Sequence, residues 1–199
     1  MLRQSRRAAW GTRTVFKRVD DRKGHKVGAV IHEIGTTTVL TLAVYPRSGR
    51  VIQVSSRVEC TRANPFTWSY AVHLVNGHLI DVDRTATMPS PCVPSWAEFA
   101  VASYLAEHSG HPAIDCWVID EPTGQPYASR FAWSSGDELT WSVEGGVRVR
   151  HAVRGQEIVR SEWGELTSVV VRDEDELLAG IAPEIRYSVV DFVNDAARR

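Results

Sequence analysis

Six short, turn-forming segments punctuate this chain, and they constrain its fold more than anything else in it. Asn76-Gly77, Ser135-Gly136, Gly145-Gly146 and Arg154-Gly155 each separate two runs of alternating or β-branched residues, and Asp21-Arg22-Lys23-Gly24 and Pro46-Arg47-Ser48-Gly49 do the same over four positions. Gly and Asn accept the positive φ of two-residue hairpin loops. Parallel strands, in contrast, need crossovers of a dozen or more residues. Six short connections therefore predict an antiparallel meander. The strands expected around them are Thr12–Val19, Val27–Ile34, Thr37–Tyr45, Val51–Cys60, Trp68–Val75 and His78–Asp83. A second set covers Ala113–Asp120, Pro126–Ser134, Glu138–Glu144, Val147–Val153, Glu157–Trp163 and Leu166–Arg172.

Between the two sets stands a helix expected from about Trp96 to His108. Pro94 precedes it, Ser95 and Glu98 have capping-box spacing, and Gly110 follows it. Trp96, Ala97, Phe99, Ala100, Val101, Ala102, Tyr104, Leu105 and Ala106 leave it almost no polar face, so it must be covered on most sides. The expected fold is mainly β (α+β), a curved antiparallel meander sheet forming a half-barrel or barrel wrapped around one buried helix. Lipid-carrier folds have a similar order of elements, an analogy of architecture alone. Further helices are expected over Asp173–Ala179 and Glu184–Ala197, the last with a stripe of Ile185, Val189, Phe192 and Val193.

Charge and cysteine content narrow the setting. Residues 1–26 hold nine Arg or Lys against Asp20 and Asp21, so residues 1–10 read as a basic, flexible arm, dispensable for stability, before a single β-rich pocket domain over 11–199. Such an arm suits an anionic polymer, but no recognition helix or RNA-binding aromatic motif accompanies it, and nucleic acid is not the expected partner. No run of apolar residues is long enough for a membrane span. Arg6-Arg7 is followed by Gly11-Thr12-Arg13-Thr14 rather than by an apolar segment, so no export signal is read. Cys60, Cys92 and Cys116 are odd in number and widely spaced, which argues against a disulfide framework or zinc site and for a reducing, cytoplasmic setting. His108, His111, Asp115 and Cys116 straddle a helix end without the shared face that a metal pair needs. No metal and no cofactor is expected, and the oligomeric state is left open. Gly-rich phosphate loops and nucleophile elbows are absent, which sets aside kinases, α/β-hydrolases and dinucleotide enzymes.

Hairpin loops also assign side chains to faces. If Ser135-Gly136, Gly145-Gly146 and Arg154-Gly155 are the loops, Tyr127, Phe131, Trp133, Glu144, His151, Arg160 and Glu162 share one face. Arg130, Trp141, Arg148, Arg150, Ser161 and Trp163 then take the other. Rings with a few convergent polar groups are typical of small-molecule pockets. On this reading Glu144 and His151 are candidate proton carriers, with His151 bordering the cavity, and Tyr127, Phe131, Trp133, Arg160 and Glu162 form the ligand wall. Asn76-Gly77 pairs Tyr70 with Asp83, a second acid–base candidate whose structural alternative is a hydroxyl satisfied by a carboxylate. The expected function is a cytoplasmic pocket protein for a hydrophobic or aromatic small molecule. If it is an enzyme, it is a cofactor-independent cyclase, isomerase, dehydratase or hydrolase. The alternatives are a lipid carrier without chemistry and an interaction module that uses the basic arm.

Overall fold

A computed structural model describes residues 13–60, 64–85, 87–108, 110–120 and 123–196. The basic arm expected over residues 1–10 lies outside them. The first strands are β1 (Arg13–Asp20), β2 (Lys26–Ile34), β3 (Val39–Arg47), β4 (Arg50–Glu59), β5 (Tyr70–Val75) and β6 (His78–Asp83). A short strand β7 (Cys92–Pro94), a 3-10 turn (Ser95–Ala97) and helix α1 (Glu98–Glu107) follow. The second set is β8 (Ala113–Asp120), β9 (Gln125–Ser135), β10 (Glu138–Val143), β11 (Gly146–Arg154), β12 (Glu157–Trp163) and β13 (Leu166–Val171). Helices α2 (Glu174–Leu178) and α3 (Pro183–Ala196) complete the order.

The thirteen strands among the described residues form one curved, open sheet in the order β6-β5-β4-β3-β2-β1-β13-β12-β11-β10-β9-β8-β7. Each half is a meander, and the halves meet where β1 pairs antiparallel with β13. The expected antiparallel sheet around a buried helix is thus what the chain forms. The strand not foreseen is β7, which at three residues is too short for alternation to mark and which pairs parallel with β8. On the inner face, Phe99, Val101 and Leu105 of α1 pack with Val58, Trp68, Val93, Phe131, Leu139 and Ile158. On the outer face, Leu177 of α2 and Val189 of α3 cover Ala29, Ile31, Leu42 and Val44. That double covering explains why β2 and β3 read as nearly continuous apolar runs. Ile185 of the expected α3 stripe joins this cluster; the side chains of Phe192 and Val193 lie outside the described residues.

Two local expectations differ from the structure in ways that bear on the site. Ser95 does not cap α1: the chain first makes the 3-10 turn, and neither turn nor helix has a side-chain N-cap bond. Glu98 is thereby freed to point elsewhere. The hairpin loops are also displaced by one residue. They are Gly136-Asp137, Glu144-Gly145 and Gly155-Gln156, because Ser135 pairs with Glu138, Val143 with Gly146 and Arg154 with Glu157. Glu144 itself takes the positive φ (50°) that the reading assigned to a second glycine.

Candidate functional site

Four chemically active side chains meet where β1, β11, β12 and the start of α1 converge. Lys17 shares the inner parity of β1 with Val15 and Val19, and is 2% exposed. Its ammonium donates to Ser161 Oγ at 2.7 Å and lies 4.6 Å from the centre of the Phe99 ring. Ser161 pairs across the sheet with His151, and Ser161 Oγ stands 2.9 Å from His151 Nδ1. On the far side of that ring, His151 Nε2 and Glu98 Oε1 lie 2.5 Å apart. Their alignment is poor for a hydrogen bond, and neither atom has another partner, so each is the other's counterpart. A His151 proton on Nε2 satisfies the series. Lys17 donates to Ser161, Ser161 donates to His151, and His151 turns its N–H toward the Glu98 carboxylate.

His32 of β2 completes the cluster. Its ring stacks on Phe99 with centroids 3.8 Å apart, and Nδ1 is 3.1 Å from Thr41 Oγ1. Burial pushes its pKa well below the ordinary histidine value, and the charge of Lys17 pushes the same way. His32 is therefore a neutral ring. Burial likewise lowers the Lys17 ammonium to about 8, with Glu98 partly opposing the drop. Among the described residues no carboxylate lies within ion-pair distance of Lys17. A buried charge without such a partner is costly.

Lys17, His32, Glu98 and Ser161 border a cavity of about 680 Å³ between the sheet and the start of α1. Tyr45, Trp96, Tyr127, Trp141 and Trp163 supply rings to its wall. Lys17, His32, Glu98, Ser161 and Ser168 supply polar groups. The Ser168 hydroxyl and the Trp141 indole N–H are buried without a hydrogen-bond partner. Exposed Arg47, Glu144 and Arg148 stand at the mouth. No group of three or more metal-ligand side chains occurs among the described residues.

The residues singled out from sequence are distributed as follows. Tyr127 and Glu144 line the cavity, Glu144 from the tip of the β10–β11 hairpin. Phe131 faces inward but is packed in the core, and Trp133 packs against it. His151 is fully buried and does not border the cavity as expected; it stands behind the wall and reaches it through Ser161 and Glu98. Arg160 and Glu162 are on the outer face, 2.6 Å apart and about half exposed. Their displacement follows from the pairing of Ala152 with Arg160 and the bulge at Ala152/Val153, which bring Ser161 and Trp163 inward instead. Two one-residue slips, between β9 and β10 and between β10 and β11, cancel. As a result His151 shares the face of Tyr127, while Trp141 joins that face instead of leaving it. Tyr70 does pair with Asp83, but on the outer side of the β5–β6 edge, opposite buried Ala71 and His73.

Sequence reasoning missed Lys17, His32, Glu98 and Ser161. A signal existed for two of them. Lys17 has the parity of Val15 and Val19, and His32 that of Val30 and Ile34, so both interrupt an inward apolar series. In the sequence Lys17 counts only toward the basic charge of residues 1–26, and Glu98 toward a capping box.

No protein-family model matches the chain, and no curated protein matches it. Among solved structures it is similar to a DUF1089 family protein from Pseudomonas aeruginosa, at 11% identity over 82% of this chain and 95% of that one, with a TM-score of 0.45. A likeness at that level decides neither fold nor function. No helix among the described residues is long and apolar enough to cross a membrane, and Cys60, Cys92 and Cys116 are free and buried.

Proposed function

We propose that the protein holds a small molecule with an apolar or aromatic body in the cavity beside α1, with the molecule's polar end against the Lys17–Ser161 floor. The observation that carries this reading is the pairing of a cavity of about 680 Å³ with aromatic walls and a buried polar floor. Its size lies within the range usual for small-ligand sites, and a few convergent polar groups in an apolar wall are their common lining. In this reading Tyr127 serves as wall, as expected from the sequence, whereas Glu144, expected as a proton carrier, stands at the mouth. His151 acts through Ser161 and Glu98.

Between simple carriage and chemistry, the buried chain Lys17–Ser161–His151–Glu98 favours chemistry. A carrier needs an apolar cup, whereas linked ionisable groups under a cavity are a recurrent feature of sites that move protons. The reaction class is cofactor-independent acid–base catalysis.

The test is binding of 8-anilinonaphthalene-1-sulfonate to the full chain, followed by fluorescence transfer from tryptophan. Val143→Trp places a bulky ring at a cavity-lining position. The expected result is saturable binding to the parent protein and loss of most of it in the variant. Equal binding by both would remove the cavity from consideration.

A further inference from the structure

We propose that Lys17 captures the carbonyl group of an aldehyde or ketone ligand as an imine, so that the cavity is a site of reversible covalent chemistry. The inference rests on the pocket reading above and names its ligand class. Three observations lead to it. Lys17 lines the cavity, although its side chain is almost wholly removed from bulk water. Its polar partner is a neutral hydroxyl and its other neighbour an aromatic face, with no carboxylate in ion-pair range among the described residues. And the same hydroxyl continues to His151 and Glu98, which can take up and return protons. Desolvated lysines in apolar pockets are the usual source of amines nucleophilic near neutrality.

The step balances without a co-reactant. The Lys17 nitrogen pair adds to the carbonyl carbon, and the C=O π pair moves to oxygen. Oxygen gains a proton and nitrogen loses one through Ser161 toward His151, leaving a carbinolamine. A second proton, supplied along the same chain, lets the hydroxyl depart as water while the nitrogen pair forms C=N, and the resulting iminium gives its N–H proton back to that chain. One carbonyl and one amine give one imine and one water. Ser161, His151 and Glu98 end as they began.

The chain contains three lysines, Lys17, Lys23 and Lys26, so the modified residue can be identified without ambiguity. Lys23 is exposed, and Lys26 is bonded to the Ala179 carbonyl. The full-length protein is incubated with benzaldehyde and sodium cyanoborohydride at pH 8, then mapped by peptide mass spectrometry. A lysine titrating near 8 is about a hundredfold richer in free amine at that pH than an ordinary one. Among the lysines, a benzyl group on Lys17 appearing at least about tenfold faster than on Lys23 is the expected result, with any label on the N-terminal amine, which titrates near the same pH, read separately in the map. Lys17→Met and Lys17→Arg should lose that label. Should Lys17 stay unlabelled, or react no faster than Lys23, while the dye still binds, the imine fails and the pocket stands. Should the dye also bind the parent and Val143→Trp alike, the pocket fails with it.

Discussion

The inner and outer faces of β9 to β12 carry the same kinds of side chain under opposite conditions. Outside, Arg130–Asp115, Arg150–Glu138 and Arg160–Glu162 pair at 2.7 Å, 3.1 Å and 2.6 Å, each member between 38% and 72% exposed. Inside, His151 pairs with Glu98 with side chains 1% and 19% exposed, and Lys17 reaches a serine. Water screens the outer pairs, so forming or breaking them changes little. The inner groups have lost that solvation, and each depends on the particular atom opposite it. Distance alone does not separate the two sets; burial does. The outer pairs are suited to keeping the sheet soluble, and the inner set concentrates the electrostatics where a ligand would meet it.

Removing one inner partner is the severest test of that difference. His151→Ala leaves the buried Glu98 oxygen without its counterpart and opens a void behind the cavity wall. Loss of about 3–5 kcal/mol is expected, read as a shift in the midpoint of urea unfolding followed by circular dichroism. A midpoint equal to that of the parent protein would mean that the two faces are energetically alike.

Lys17→Met should act in the opposite direction. The folded-state pKa is lowered to about 8 from an ordinary 10.5, so between those values the unfolded chain holds a proton that the folded one has shed. Stability of the parent therefore rises as pH climbs from about 8 to about 10.5. Below 8 the buried charge is a full penalty, worth on the order of 3 kcal/mol. The variant should be the more stable at pH 7 by up to that amount, and the gap should close by about pH 10.5. A gap that does not change with pH would show that Lys17 is solvated like the outer arginines.

The legibility of this chain divides along the same line as its two faces. Hairpin loops such as Asn76-Gly77 announce antiparallel neighbours, because their backbone demands are local. That was enough for the sheet, and the apolar girth of α1 was enough for its burial. Faces within the second half required register, and register depends on bulges at Glu138/Leu139, Trp141/Ser142 and Ala152/Val153, which no dipeptide marks. The Lys17–Ser161 meeting lay further out of reach. It depends on β1 and β13 joining the ends of the chain into one sheet, a contact between residues 144 positions apart. Glu98 was legible as a helix-start residue but not as a partner of His151, since that pairing depends on the 3-10 turn that precedes α1.

The smallest expected effect belongs to Arg160→Ala, and it bears most directly on register. Placed on the ligand wall, as the hairpin loops alone suggested, Arg160 would be a buried or half-buried cation facing the cavity. Its removal would then alter dye binding and stability together. In the structure its guanidinium is 52% exposed and paired with Glu162, two residues along the same strand. An exposed pair of that kind contributes at most about 0.5 kcal/mol, and added salt reduces it further. The variant should therefore unfold within about 0.5 kcal/mol of the parent and bind 8-anilinonaphthalene-1-sulfonate unchanged. Ser161→Ala, one residue away on the same strand, should disturb dye binding or the Lys17 titration, because its hydroxyl holds the ammonium. If Arg160→Ala weakened binding while Ser161→Ala did not, the β11–β12 register would be one residue off. The inner site would then have to be rebuilt around Arg160 and Glu162.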